Sequence, residues 1–113
     1  MVGISLGTND FAGGCDADRY QACYANFLET VRTLYPDTHI VCAMGIIDIG
    51  CDAVQHIEAA IAESGVGNVS FFKMTVNTVA EAEKWGADGQ PSAKSHAEMA
   101  AQLSSHIAEQ MGR

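Results

Sequence analysis

The chain has 113 residues, with six Lys and Arg against fourteen Asp and Glu, for a formal charge of −8. That balance repels phosphate backbones and anionic lipid surfaces, so it argues against nucleic acid and membrane partners. No basic start leads into a long apolar run, so no signal peptide is read in this chain, and no apolar stretch approaches the roughly 18 residues of a membrane span. The length suits one domain, 1–113, able to bury roughly 60–70% of the surface of its unfolded chain.

The first expected element is a strand, Val2-Gly3-Ile4-Ser5-Leu6, which breaks at Gly7. A Gly- and Asp-rich loop should run from Phe11 to Asp18. Tyr20, Cys23, Tyr24, Phe27, Leu28, Val31 and Leu34 then recur at helical spacing, with Asp16 or Asp18 available as N-cap. That helix should end before Pro36. Thr38 to Met44 reads as a second strand, nearly continuous in apolar residues, as a strand covered on both faces should be.

A second helix is expected from about Asp52 to Ser64, with Gly65 as its stop. Val69 to Met74 is the third strand. A loop from Thr75 to Pro91 leads to a last helix capped by Ser92, whose inner stripe is His96, Met99, Ala100, Leu103 and Ile107. Strands alternating with helices predict an α/β unit: a three-stranded parallel sheet with flanking helices and right-handed crossovers.

The four cysteines, Cys15, Cys23, Cys42 and Cys51, have no C-x-x-C spacing and no neighbouring His pattern, so no metal site is read. Cys42 lies in an apolar strand and reads as a small buried hydrophobe. Cys15 and Cys51 both follow strand ends on one rim and could pair in an oxidising compartment. Spacing does not choose among the three full pairings.

In open α/β sheets the chemistry gathers at the carboxyl ends of the strands, where loops converge and helix N-termini point. Asn9, Asp10, Gly45 to Gly50 and the loop carrying Asp88 share that rim. Gly3-Ile4-Ser5-Leu6-Gly7 matches the G-x-S-x-G nucleophile pattern, but Ser5 falls within the strand rather than on a strand-to-helix turn. His96 reads as a packed helix residue, His39 opens a strand at the opposite rim, and His56 and His106 sit on helices. Trp85, the single tryptophan, stands in the rim loop as either an aromatic face for a sugar ring or a loop anchor.

Two motifs carry a family resemblance: Gly7-Thr8-Asn9-Asp10 after the first strand, and Gly86-Ala87-Asp88-Gly89-Gln90-Pro91-Ser92 before the last helix. Together they resemble the third and fifth sequence blocks of the SGNH (GDSL-type) hydrolases, in particular the carbohydrate acetylesterases. His96 and the Glu98-Met99-Ala100 run add to the likeness. The resemblance covers the C-terminal part of that domain and implies a partial SGNH or flavodoxin-like fold.

It also implies an acetyl-ester hydrolysis in which a serine attacks the ester, a histidine serves as base and acid, and Asn9 donates to the oxyanion. By the same likeness Asp88 precedes and orients the base, whose position is Gln90, while Asp10 and Trp85 face an acetylated carbohydrate or other small ester. An amide cannot exchange a proton near neutral pH, so Gln90 cannot serve as base. The Gly-Asp-Ser block with the nucleophile and the oxyanion-hole glycine are not in this sequence. No cofactor is implied, and a secreted or periplasmic setting is.

Two functions are therefore expected: the later part of an acetylesterase, impaired as it stands, or a non-catalytic module that weakly binds carbohydrate. In such a sheet the first strand here is internal. Without its neighbour, Val2 to Leu6 leave an apolar edge that predicts a homodimer.

Overall fold

The structure is a computed structural model and describes residues 1–47 and 53–113. Three strands, β1 (Val2–Ile4), β2 (Ile40–Met44) and β3 (Val69–Lys73), form a parallel sheet in the order β1-β2-β3. The register pairs Val2 with Ile40 and Ile40 with Val69. Helices α1 (Thr8–Ala12), α2 (Ala17–Leu34), α3 (Ala53–Ser64) and α4 (Ala93–Gln110) surround it. The α/β architecture expected from the alternation of patterns is the one observed.

Side chains alternate across a strand, and the two faces of the sheet have different covers. Ile4, Ile40, Cys42 and Met44 point to one side and cluster with Tyr20, Tyr24, Leu28 and Val31 of α2 and with Ala53, Ile57 and Ala60 of α3. Leu28, Ile40, Cys42 and Ile57 are fully buried there. Truncating one such Leu or Ile to Ala costs about 2–5 kcal/mol. Val41 and Ala43 face the other side, where Val76 and Met99 are also buried.

Local signals account for most boundaries. The Asp16 carboxylate accepts from the N–H groups of Asp18 and Arg19 at 3.0 and 3.1 Å and starts α2. Ser92 does the same for α4, accepting from Ser95 N–H at 3.2 Å. α3 ends at Gly65, whose φ of 64° is the left-handed cap that glycine adopts without strain. Arg32 ties the amino-terminal rim together: its guanidinium donates to the carbonyls of Tyr35, Pro36 and Thr38 before β2, and of Gly67 and Asn68 before β3.

Three expectations need correction. β1 stops at Ile4, so Ser5 and Leu6 lie beyond the paired strand. The loop expected from Phe11 to Asp18 is shorter, because α1 begins at Thr8 and α2 already at Ala17. The inner stripe of α4 is turned: Ser95 and Met99 are buried, Leu103 and Ile107 half-buried, and His96 and Ala100 exposed. Ser95 is buried because its hydroxyl donates to the Lys84 carbonyl at 2.7 Å, locking the helix start onto the preceding loop.

The body is a slab of 43 × 38 × 18 Å with an accessible surface of 6540 Å². A folded monomer of this size exposes about 6,000 Å². At β1, Gly3, Ser5, Val41 and Ala43 line an open cavity of about 190 Å³ with Leu103 and Ile107.

Candidate active site

The carboxyl rim of the sheet carries a cavity of about 340 Å³ whose lining includes Ser5, Thr8, Gly45, Gln90, His96 and Met99. Each polar group arrives by a different device. Ser5 and Thr8 follow β1. Gln90 is placed by a tight loop in which Trp85 and Pro91 form an antiparallel bridge. Within it Gly86 N–H donates to the Gln90 carbonyl at 2.7 Å and Gln90 N–H to Ala87 at 3.1 Å. Asp88 and Gly89 make the reversal with φ of 55° and 69°.

The first motif is a strand-to-helix corner. Gly7 has φ 131°, and its carbonyl accepts Phe11 N–H at 3.0 Å to begin α1. Asn9 is on the exposed side of α1, outside the lining of the Gln90 cavity. Asp10, also exposed, borders two neighbouring hollows of about 330 and 220 Å³ that it shares with Tyr20 and Cys23. Asp88 and Trp85 stand in the rim loop beside Gln90, Trp85 being 41% exposed. The structure thus brings Gln90 together with Ser5, Thr8 and His96, and sets Asn9 and Asp10 on the adjoining helix. Of the Gly45 to Gly50 rim, residues 45–47 are described; the rest, with Cys51 and a Cys15–Cys51 pairing, lies outside the described residues.

His96 is the residue that periodicity misplaced. With the expected Ser92 cap in place, Ser95 takes the buried position and the exposed His96 lines the cavity. The loop after β3 is pinned to the same helix. Glu98 accepts from the N–H groups of Asn77 and Thr78 at 2.8 and 3.1 Å and from the Thr78 hydroxyl at 2.8 Å. Those bonds, the one from Asn77 first, hold its carboxyl below the usual range. Gln102 exchanges two hydrogen bonds with the Thr75 backbone, both at 2.9 Å.

Among the described residues no group of three or more His, Cys, Asp or Glu side chains could hold a metal ion, and no helix is long and apolar enough to cross a membrane.

No protein-family profile matches the chain. It is 28% identical over 117 aligned residues to the cellulase/esterase CelE of Acetivibrio thermocellus, an alignment spanning 99% of this chain and 14% of that protein. Its fold superposes on a family two carbohydrate esterase from Clostridium thermocellum, solved with cellohexaose, with a TM-score of 0.82 and 30% identity. An acetyl xylan esterase from the rumen bacterium Butyrivibrio proteoclasticus shares the fold at TM-score 0.81 and 22% identity. A family two carbohydrate esterase from Cellvibrio japonicus does so at 0.78 and 24%. These matches cover 97–98% of this chain but only 33–36% of the solved chains. In sequence and in fold the chain is similar to part of a carbohydrate esterase, and it spans about a third of the solved chains it matches.

Proposed function

We propose that this chain forms part of an esterase domain acting on acetylated carbohydrate, and that its own residues shape the acyl site without supplying the base. The observation that carries this reading is Gln90: it lines the rim cavity from the loop that, by motif, should deliver a histidine. On the motif alone, since α1 sets it beside the Gln90 cavity and not in its lining, Asn9 is assigned the oxyanion donor, with Asp88 positioning residue 90 and Asp10 and Trp85 in contact with the sugar. Cellohexaose bound to the Clostridium thermocellum esterase supports a polysaccharide ester as substrate class. No cofactor enters the proposed reaction. In it the serine oxygen forms a bond to the acetyl carbon, the sugar oxygen leaves with the proton, and water releases acetate. Grafting this chain in place of the matching third of the Clostridium thermocellum esterase tests the reading, with and without Gln90→His.

A second reading is favoured by β1. Among the described residues it is the outer strand of the sheet and has no strand on its far edge, beside the open cavity at Gly3 and Ser5. An exposed edge is a template for pairing with another copy. Under this reading the chain is a non-catalytic module that forms a homodimer through Val2 to Leu6 and retains a weak carbohydrate cleft. Sedimentation at micromolar concentration distinguishes them: a stable monomer removes the dimer, and a two-fold species lost in Gly3→Lys, at an exposed position with open space for a side chain, supports it.

A further inference from the structure

At the amino-terminal rim, opposite the cavity described above, four side chains form a directed hydrogen-bond relay. His39 Nδ1 lies 2.7 Å from Asn68 Oδ1, His39 Nε2 lies 2.9 Å from Ser70 Oγ, and Ser70 Oγ lies 3.0 Å from His106 Nε2. Asn68 Oδ1 accepts, which assigns the Nδ1 proton to His39; in the neutral tautomer so oriented Nε2 is an acceptor for the Ser70 hydroxyl, whose lone pair faces His106 Nε2. A serine with an acceptor imidazole, itself oriented by an amide oxygen, is the nucleophile, base and orienter arrangement of the serine and cysteine hydrolases.

The relay is held from both sides. The register of β2 and β3 places Ile40 beside Val69, which brings the preceding His39 and Asn68 to one rim. Asn68 has a left-handed backbone, φ 58°, and its carbonyl is fixed by Ile40 N–H at 3.0 Å and by Arg32. His106 stacks on Phe72 at 4.6 Å, which aims its Nε2 at Ser70. Ser70, His39 and His106 are each half-buried.

We propose that Ser70 is an activated nucleophile of a second site, with His39 as its base, and that it reacts with small acyl or phosphonyl electrophiles. Attack of Oγ on an ester carbon forms the acyl-serine as the bond to the leaving oxygen breaks. The Oγ proton passes to His39 Nε2 and on to the leaving oxygen. His106 Nε2–H, within hydrogen-bond distance of the attacking atom, is the available donor for the developing oxyanion. Water then hydrolyses the acyl-serine, His39 accepting and returning a proton. Asn68 is a positioning residue, acting through the His39 tautomer.

The test is reaction of the folded chain with an alkyl fluorophosphonate, followed by peptide mapping. Oγ–P forms, P–F breaks, fluoride leaves, and the proton goes to His39 and then to solvent. One adduct per chain on Ser70 is expected, absent in Ser70→Ala and slowed about 10²-fold or more in His39→Gln, the scale of a removed base. Asn68→Ala should slow labelling and Asn68→Asp restore it, whereas a role confined to docking α4 would leave both rates unchanged. No adduct on the unaltered protein, adducts scattered over other serines, or an equal rate in folded His39→Gln would overturn the proposal. Because Gln90 lies at the other rim, loss of the esterase reading leaves this result untouched.

Discussion

Gly7 lies directly beneath the Tyr20 hydroxyl, so that a Cβ built on Gly7 would stand 2.6 Å from Tyr20 Oη. The same hydroxyl donates to the Leu6 carbonyl at 2.9 Å. Gly7 therefore answers two demands at once, a φ of 131° that side chains resist and a close approach of α2 to the corner after β1. The corner in turn sets where Thr8 and Asn9 sit.

Replacing Gly7 by Ala should destabilise the fold by about 2–4 kcal/mol, since strain and overpacking add. Tyr20→Phe in the same background should recover part of the loss by removing the atom in conflict. Urea denaturation of the two variants checks both statements.

The second core tyrosine makes the opposite prediction. Tyr24 is 4% exposed and its hydroxyl lies against the Cys42 thiol without a hydrogen bond of ordinary geometry. Burial pushes its ionisation well above the usual tyrosine range. Tyr24→Phe should thus be neutral or stabilising by up to about 1 kcal/mol, because it deletes an unsatisfied buried group and no partner is orphaned. A loss of 2 kcal/mol or more in thermal unfolding would show that the hydroxyl is bonded.

Acid should loosen the loop after β3 through Glu98. Its folded carboxyl ionises below the ordinary value of 4.5, so the stabilisation is full above that pH and is lost as pH falls through the lower folded value. Glu98→Gln should erase this component of the acid dependence while leaving stability below the folded carboxyl's own titration little changed. Amide hydrogen exchange at Asn77 and Thr78 reports it locally, with protection expected to fall in the variant at neutral pH.

Sequence patterns carried the strands and long helices because each has a core-facing period that survives without its neighbours: Ile40 to Met44 is a continuous apolar run, and Tyr20 to Val31 repeats at helical spacing. Helix α1 escaped because Thr8 to Ala12 buries no residue and so has no stripe to read. At the rim, Gln90 was found by its motif. His96 was assigned inward because Ser95, a small polar residue, gave no hint that its hydroxyl would be the buried partner of Lys84. The His39, Asn68, Ser70 and His106 relay was illegible for another reason. Its members are joined by the β2 and β3 register and the seat of α4, which spacing along the chain does not encode.

The central claim is that this chain presents an acyl site whose base position holds an amide, and acetate release measures it most directly. A chimera carrying this chain in place of the matching part of the Clostridium thermocellum esterase should fold and release acetate from acetylated xylo-oligosaccharide at close to the background rate. Its Gln90→His variant should be faster by about 10²–10⁴-fold, the contribution of a positioned general base, with Ser70→Ala in both proteins to remove the second site. Equal rates from the two folded chimeras would contradict the account.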